Sequence, residues 1–303
     1  MKEVSDGGPG SSETSCTGAE RVSPERADSS PTGGGIDHQG GDAADMPIQI
    51  RWLGHATVLV EDRARILTDP VLTGAMMHLH RRAGPVPDSL ANGVDAVAVS
   101  HLHVDHLHFR SLALIDTGTP VLIPRGAGRL LRGTGLETVE VIAGDEVRVG
   151  GATITVVPAV HDATRWPFGR VRGEAVGYVV RGDGATYFAG DTSLFPEMHE
   201  IAGHLDMALL PVGGWGPWLR GEHMNPKDAA NCLALLDADV AVPIHYGTFW
   251  PRGITWVRKR VFHEPGREFA AHARSLAPGV DVRVLSPGAS TTVDLPKVPP
   301  ADR

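Results

Sequence analysis

The chain has 303 residues, 42% of them hydrophobic, with a formal net charge of −8. That is enough for one large domain with a full core, or two small ones. Residues 1–45 hold nine acidic and three basic residues, so the remainder is close to neutral. It lacks the global basic excess of a nucleic-acid binder, although local basic runs at Arg125–Arg132 and Arg252–Arg260 stay open. Cys16 and Cys232 make no disulfide framework and fit a reducing compartment. No apolar run approaches the ~20 residues of a membrane span, and the first residues lack the apolar centre of a secretory signal. The expectation is a cytoplasmic protein with at most peripheral membrane contact.

Residues 1–45 are rich in Gly, Ser, Pro, Asp and Glu and nearly devoid of large apolar side chains. They are expected to be a disordered acidic tail, because they cannot bury enough surface to offset ordering entropy. Met46 opens an abruptly different text and is expected to be the native start. A hydrolase domain is expected over 46–296, with a frayed Pro-rich end at 297–303. Within it, IQIRWLG, ATVLVED and ARILTDP are β-rich runs punctuated by Gly and Asp. DAVAVSH, PVLIP, VEVIA, EVRVG, ATITVVPA, AVGYVVRG, ATYFAGD and VAVPIH continue the series. A helix is predicted over Pro226–Ala238, with Asn225 as its cap and Pro in its first turn. A second is predicted over roughly Arg267–Leu276, before VDVRVLSPG. Many strands with interspersed and late helices predict a sandwich of sheets covered by helices.

The stretch SHLHVDHLH, Ser100–His108, follows a buried-strand pattern. Alternate residues of an extended segment point the same way, so His101 and His103 can converge on one metal. Asp105 and His106 come after the chain turns and can serve a neighbouring position. Two four-coordinate metals need further ligands. Three later apolar runs end in a suitable residue: ATITVVPAV at His161, ATYFAG at Asp191 and VAVPI at His245.

These motifs, with WLGHATVLVE, LTDPVL, FAGDT, LLPVGGW, HMNPKDAA and PIHYGTF, resemble the metallo-β-lactamase superfamily. Within it the chain is most similar to the branch holding N-acylphosphatidylethanolamine-hydrolysing phospholipase D and the ascorbate-phosphate lactonase-like proteins. The likeness covers about residues 48–290. It implies an αββα sandwich, two mixed sheets flanked by helices. It also implies two divalent metals, Zn²⁺ by the N/O donor set, with Mn²⁺ or Fe²⁺ as alternatives. His101, His103 and His161 would hold the first, Asp105, His106 and His245 the second, and Asp191 would bridge them. The implied chemistry is hydrolysis by a hydroxide bridging the two metals. A phosphodiester is the expected substrate, with a lactone or other ester as the alternative and a non-catalytic metal-binding protein as the rival from another class. Asp105 and His223 are the candidate catalytic residues, Asp105 to orient the nucleophile and His223 to bind or protonate substrate. The expected partner is a small-molecule or lipid-like substrate, not nucleic acid, and a homo-oligomer is left open.

Several other residues carry weaker signals. His55 is expected to support a ligand from outside, since metal ligands need outer partners, and Asp69 to bond loop amides. Trp215, Trp218 and Trp250, with Gly213, Gly214 and Gly216, would form an apolar lip. Gly247 and Thr248 would make a tight turn behind His245, and His108 would start a helix. His78, His80, His199, His204, His263 and His272 have no context that singles them out. After His161 the text HDATRWPFGRVRGEAVGYVV keeps Arg165 and Trp166 but loses the later tryptophans of the phospholipase. A membrane phospholipid is therefore not the expected substrate.

Overall fold

The computed structural model describes residues 20–21, 46–165, 171–201, 203–214, 223–253 and 259–295. A seven-stranded sheet has the order Ser290–Val293, Ile48–Gly54, Thr57–Glu61, Arg65–Thr68, Ala96–Ala98, Pro120–Pro124, Glu137–Val141. An eight-stranded sheet runs Glu20–Arg21, Glu146–Val149, Ala152–Pro158, Val176–Arg181, Ala185–Phe188, Leu205–Pro211, Ala238–Ile244, Asp281–Val282. Each begins antiparallel and becomes parallel partway, the first from Arg65–Thr68 onward and the second from Ala185–Phe188 onward. In a parallel array the carboxyl ends of the strands gather on one side, and that side forms the binding crevice.

The two-residue side-chain period explains the layering. Val58, Ile66 and Leu122 join one core cluster with Ile154, Tyr178 and Val180 of the other sheet. Their neighbours Leu59, Leu67 and Ile123 face the opposite way. They are covered by Leu112 and Leu131, from the short helix Phe109–Leu112 and the 3₁₀ turn Gly128–Leu131. The outer layer on that side is therefore short turns, while two longer helices, Pro226–Leu233 and Pro265–Leu276, pack together over the eight-stranded sheet. The strand Leu205–Pro211 is buried at every position, Asp206 included, as expected for a parallel strand covered on both sides.

The strand runs read from sequence are present, several of them shorter than their patterns. The first helix ends at Leu233 rather than Ala238. Leu235 and Leu236 both donate their N–H to the Cys232 carbonyl, so the last turn closes early and frees the chain for the strand Ala238–Ile244. The second helix starts two residues earlier than expected, at Pro265. Glu20–Arg21 pairs with Val147 and Arg148 at a sheet edge, inside the segment read as having no order of its own. An edge strand offers unpaired backbone groups that can take up such a pair without any side-chain core. A small third sheet, Phe249–Pro251, Leu79–Arg81 and Ala75–Met76, has no counterpart in the sequence reading.

Asn225 caps the helix Pro226–Leu233 as expected. Its side chain accepts from the Lys227 and Asp228 N–H groups at 2.9 and 3.0 Å, and Asp228 answers it in a capping box. Asn225→Ala is expected to cost about 1 kcal/mol, lowering the melting temperature by roughly 2–4 °C. An unchanged thermal melt would show that the cap contributes nothing.

Candidate metal centre

The site lies where the strands of both sheets end. Asp69 follows Arg65–Thr68, Ser100–His106 follows Ala96–Ala98, His161 follows Ala152–Pro158, Asp191 follows Ala185–Phe188, and His245 follows Ala238–Ile244. Gly190 lets the two sheets meet there. It has φ +61°, and a Cβ at this position would lie 2.5 Å from the Ser100 Cβ. Any larger residue would push the Asp191 strand off the His101 loop.

Beside overlapping sets of Asp69, His101 and His106 and of His161, Asp191 and His223, two groups of ligand atoms form, each with its members within 4.8 Å of one another. One is His101, His103 and His161; the other is Asp105, His106, His245 and His55. Asp191, 2% exposed, stands between them. Its carboxylate oxygens are 3.1 Å from His106 Nε2, 3.2 Å from His245 Nε2, 3.3 Å from His223 Nδ1 and 3.9 Å from His101 Nε2. All seven candidate ligands, and His223, therefore converge.

The outer contacts explain the ring orientations. His106 Nδ1 donates to Asp69 Oδ2 at 2.6 Å, and His245 Nδ1 donates to the Gly213 carbonyl at 3.0 Å. With both protons on Nδ1, the two Nε2 atoms present lone pairs to each other at 3.1 Å and to Asp191. Lone pairs facing at that distance repel, so the pair calls for a positive charge there: the extra proton that the raised His106 pKa supplies without metal, or a metal cation in its place. His101 Nδ1 is held 3.0 Å from Ser100 Oγ, and its buried Nε2 has no hydrogen-bond partner; nor have Asp191 Oδ1 and His223 Nδ1. Buried polar atoms are seldom left unpaired. Orphaned inward nitrogens and oxygens, outer nitrogens pinned by acceptors, and an all N/O donor set fit divalent cations such as Zn²⁺, with Mn²⁺ or Fe²⁺ as alternatives.

The charges agree. Burial opposes ionisation of Asp191 and Asp105, yet the surrounding imidazoles, His106 foremost, hold both carboxyls well below the usual range. Burial likewise opposes charge on His106, but Asp191, Asp69 and Asp105 outweigh it and raise its pKa well above the ordinary value. Burial drives His101 well down. His223 is raised because Asp191 overcomes its burial.

His55 and Asp69 do more than the sequence suggested. Burial, helped by His245, pushes the His55 pKa down to about 3, so its ring is neutral. Its Nε2 donates to Asp105 Oδ2 at 2.8 Å. Its backbone N–H donates to Thr248 Oγ1, and its carbonyl accepts from the His245 N–H and from Trp52 Nε1. Asp69 reaches past the loop amides: besides the Ser100 N–H and hydroxyl it takes the His106 ring, 37 positions away. His55, Asp69 and His245 all have positive φ, at 56°, 34° and 63°. Such backbone strain costs on the order of 1 kcal/mol or more per residue and clusters at functional sites. A non-glycine turn cannot be read from sequence.

Arg165 Nη1 donates to the Leu102 and Leu107 carbonyls and so clamps the His101–His108 loop from outside. His108 stands at the start of the helix Phe109–Leu112 without a side-chain bond to its amides, its Nδ1 lying 2.8 Å from Ser111 Oγ. Gly247, at φ +63°, and Thr248 form the turn after His245. Trp215, Trp218, Gly216 and Trp166 lie outside the described residues. Trp250 is not placed as a lip. It is 3% exposed and packs edge-on to Phe262, while its neighbour Phe249 faces His55. His199 and His204 are exposed, bonded to the Pro196 carbonyl and near Asp237 and Asp239 respectively.

No helix of the described residues is long and apolar enough to cross a membrane. A beta-lactamase superfamily domain model matches residues 64–246. A UPF0173 metal-dependent hydrolase of Methanopyrus kandleri is 35% identical over 251 residues, 80% of this chain and 99% of that protein. One from Thermus thermophilus is 35% identical over 252 residues, 82% of this chain and 100% of that protein. The solved structure of Igni18, a metallo hydrolase of Ignicoccus hospitalis, matches with a TM-score of 0.65 and 26% identity over 83% of this chain and 100% of that one. With its strand-end histidines and aspartates, the chain belongs to the beta-lactamase superfamily and, within it, to the UPF0173 metal-dependent hydrolases.

Proposed function

We propose that this metal-dependent hydrolase is dinuclear and cleaves a phosphodiester, as in the branch of N-acylphosphatidylethanolamine-hydrolysing phospholipase D and the ascorbate-phosphate lactonase-like proteins. The observation that carries this reading is the pair of imidazole nitrogens, His106 Nε2 and His245 Nε2, facing each other 3.1 Å apart against Asp191. In this reading His101, His103 and His161 would hold one cation, Asp105, His106 and His245 would hold the other, and Asp191 would serve both. When bound, two such cations lower the pKa of a water and polarise the scissile group.

The chain's own residues position the rest. Asp105, fixed by His55, orients the attacking water. His223, 3.3 Å from Asp191 and 20% exposed at its side chain, binds substrate or protonates the leaving group. Among the described residues no cysteine is poised as a nucleophile: Cys232 is buried and its thiol is pushed up to about 12. The phosphodiester assignment is supported by the HMNPKDAA stretch, which brings His223 against the bridging carboxylate. The substrate is a small or lipid-like molecule rather than nucleic acid, and membrane contact is peripheral at most.

The test is to count metals per chain and to assay bis(p-nitrophenyl) phosphate, lactones and β-lactams side by side. Two metals with phosphodiester turnover is the expected result. Lactone turnover alone would give the lactone or ester hydrolase instead. Two metals without any turnover would give a non-catalytic metal-binding protein. His223→Ala should keep both metals and lower kcat by about 10²-fold or more; full activity at full metal content would remove His223 from the reaction.

A further inference from the structure

A second cavity, of about 130 Å³, is lined by Arg82, Trp250, Lys259, Phe262 and His263. Trp250 and Phe262 form a buried, rigid wall, their rings 5.4 Å apart and nearly perpendicular. The three cationic or imidazole side chains around it are exposed. The Arg82 N–H is bonded to the Thr248 carbonyl at 2.7 Å, which fixes that residue against the turn behind His245. Neighbours on a strand face opposite sides. Phe249 turns to His55 and the metal centre, so Trp250 and the cavity lie on the other side of the Phe249–Pro251 strand.

Among the described residues neither Arg82 nor Lys259 takes part in an ion pair. The nearby carboxylates are engaged elsewhere: Glu264 is 3.9 Å from Arg267 and Glu268 is 3.7 Å from Arg260. Desolvation and the charges of Arg252 and Arg82 hold the pKa of neighbouring His80 below its ordinary value, which reports a positive local field. Among the described residues no carboxylate lines the cavity. A guanidinium fork beside an ammonium point charge suits a multiply charged oxyanion. The small volume and hard aromatic wall suit a compact one.

We propose that this cavity is a phosphate-binding site, separate from the metal centre, that takes a phosphate group free in solution, on a small molecule, or on a lipid headgroup. The test is isothermal titration of the full chain with inorganic pyrophosphate. Three proteins are compared: wild type, the double variant Arg82→Gln/Lys259→Gln, and His101→Ala. Sedimentation with phosphatidic acid vesicles, against phosphatidylcholine vesicles, forms a second arm. The two glutamines replace exposed side chains, so folding should be kept, and a thermal melt checks it. Saturable pyrophosphate binding is expected in wild type and in His101→Ala, with at least a tenfold loss in the double variant. Vesicle binding lost in the same variant, without pyrophosphate binding, would support the site and name a lipid headgroup as its source. Binding kept in the double variant would place the anion elsewhere, at the metal centre if His101→Ala weakens it, and would overturn the proposal. Absence of binding in both arms would overturn it as well.

Discussion

Asp191→Ala is expected to empty both metal positions, whereas removing a ligand on one side should empty one. His101→Ala should leave about half the metal of the wild type, and so should His245→Ala. The reason is position. Asp191 alone lies within 3.9 Å of nitrogens from both groups, His101 on one side and His106 and His245 on the other. It also supplies a buried negative charge that offsets the repulsion of two cations. Loss of a cation removes several kcal/mol of transition-state stabilisation, so turnover should fall on the order of 10³-fold or more. Metal analysis by mass spectrometry of the purified variants, read beside kcat, checks this. An Asp191→Ala protein that keeps two metals at wild-type affinity would remove the bridge, and a His101→Ala protein that keeps both would dissolve the pairing.

The candidate ligands were legible because each ends an apolar strand with a polar residue type, a pattern that survives without any knowledge of pairing. His161, Asp191 and His245 were found this way. What joins them was not legible. The Asp69–His106 bond depends on how the parallel pair Arg65–Thr68 and Ala96–Ala98 is registered. The strand Leu205–Pro211 was missed because LDMALLP has no alternation, and a run buried on both faces reads equally as helix or strand. Trp250 was misplaced for a related reason: nearness in sequence to His245 does not say which face of a strand a side chain takes. The early end of the helix at Leu233 follows from the demands of the next strand, since LALLDA has helical propensity throughout.

Asp69 should show the largest separation between folding and metal binding. It accepts three bonds: from the Ser100 N–H at 2.7 Å, the Ser100 hydroxyl at 2.6 Å and His106 Nδ1 at 2.6 Å. Asp69→Ala orphans all three buried donors, at about 1 kcal/mol each. The variant should lose about 3 kcal/mol and melt roughly 6–12 °C lower. Asp69→Asn keeps the shape and one acceptor oxygen, so it should melt much closer to the wild type. With the amide oxygen accepting from the Ser100 N–H, however, the NH2 group faces His106 Nδ1 and cannot accept from it. The ring must then carry its proton on Nε2, the atom that faces His245 and Asp191, and the lone pair needed there is lost. Metal affinity at that position should fall about 10–100-fold. Acid–base behaviour gives a third readout. The raised His106 pKa stabilises the chelated protein fully below ~6.5, and that stability is lost as pH rises through the folded value. Removing the Asp69 charge lowers the folded value, so in both variants the decline should end at lower pH and be smaller. An Asp69→Asn protein with wild-type metal affinity and an unchanged pH profile would show that the carboxylate sets neither the tautomer nor the charge of His106.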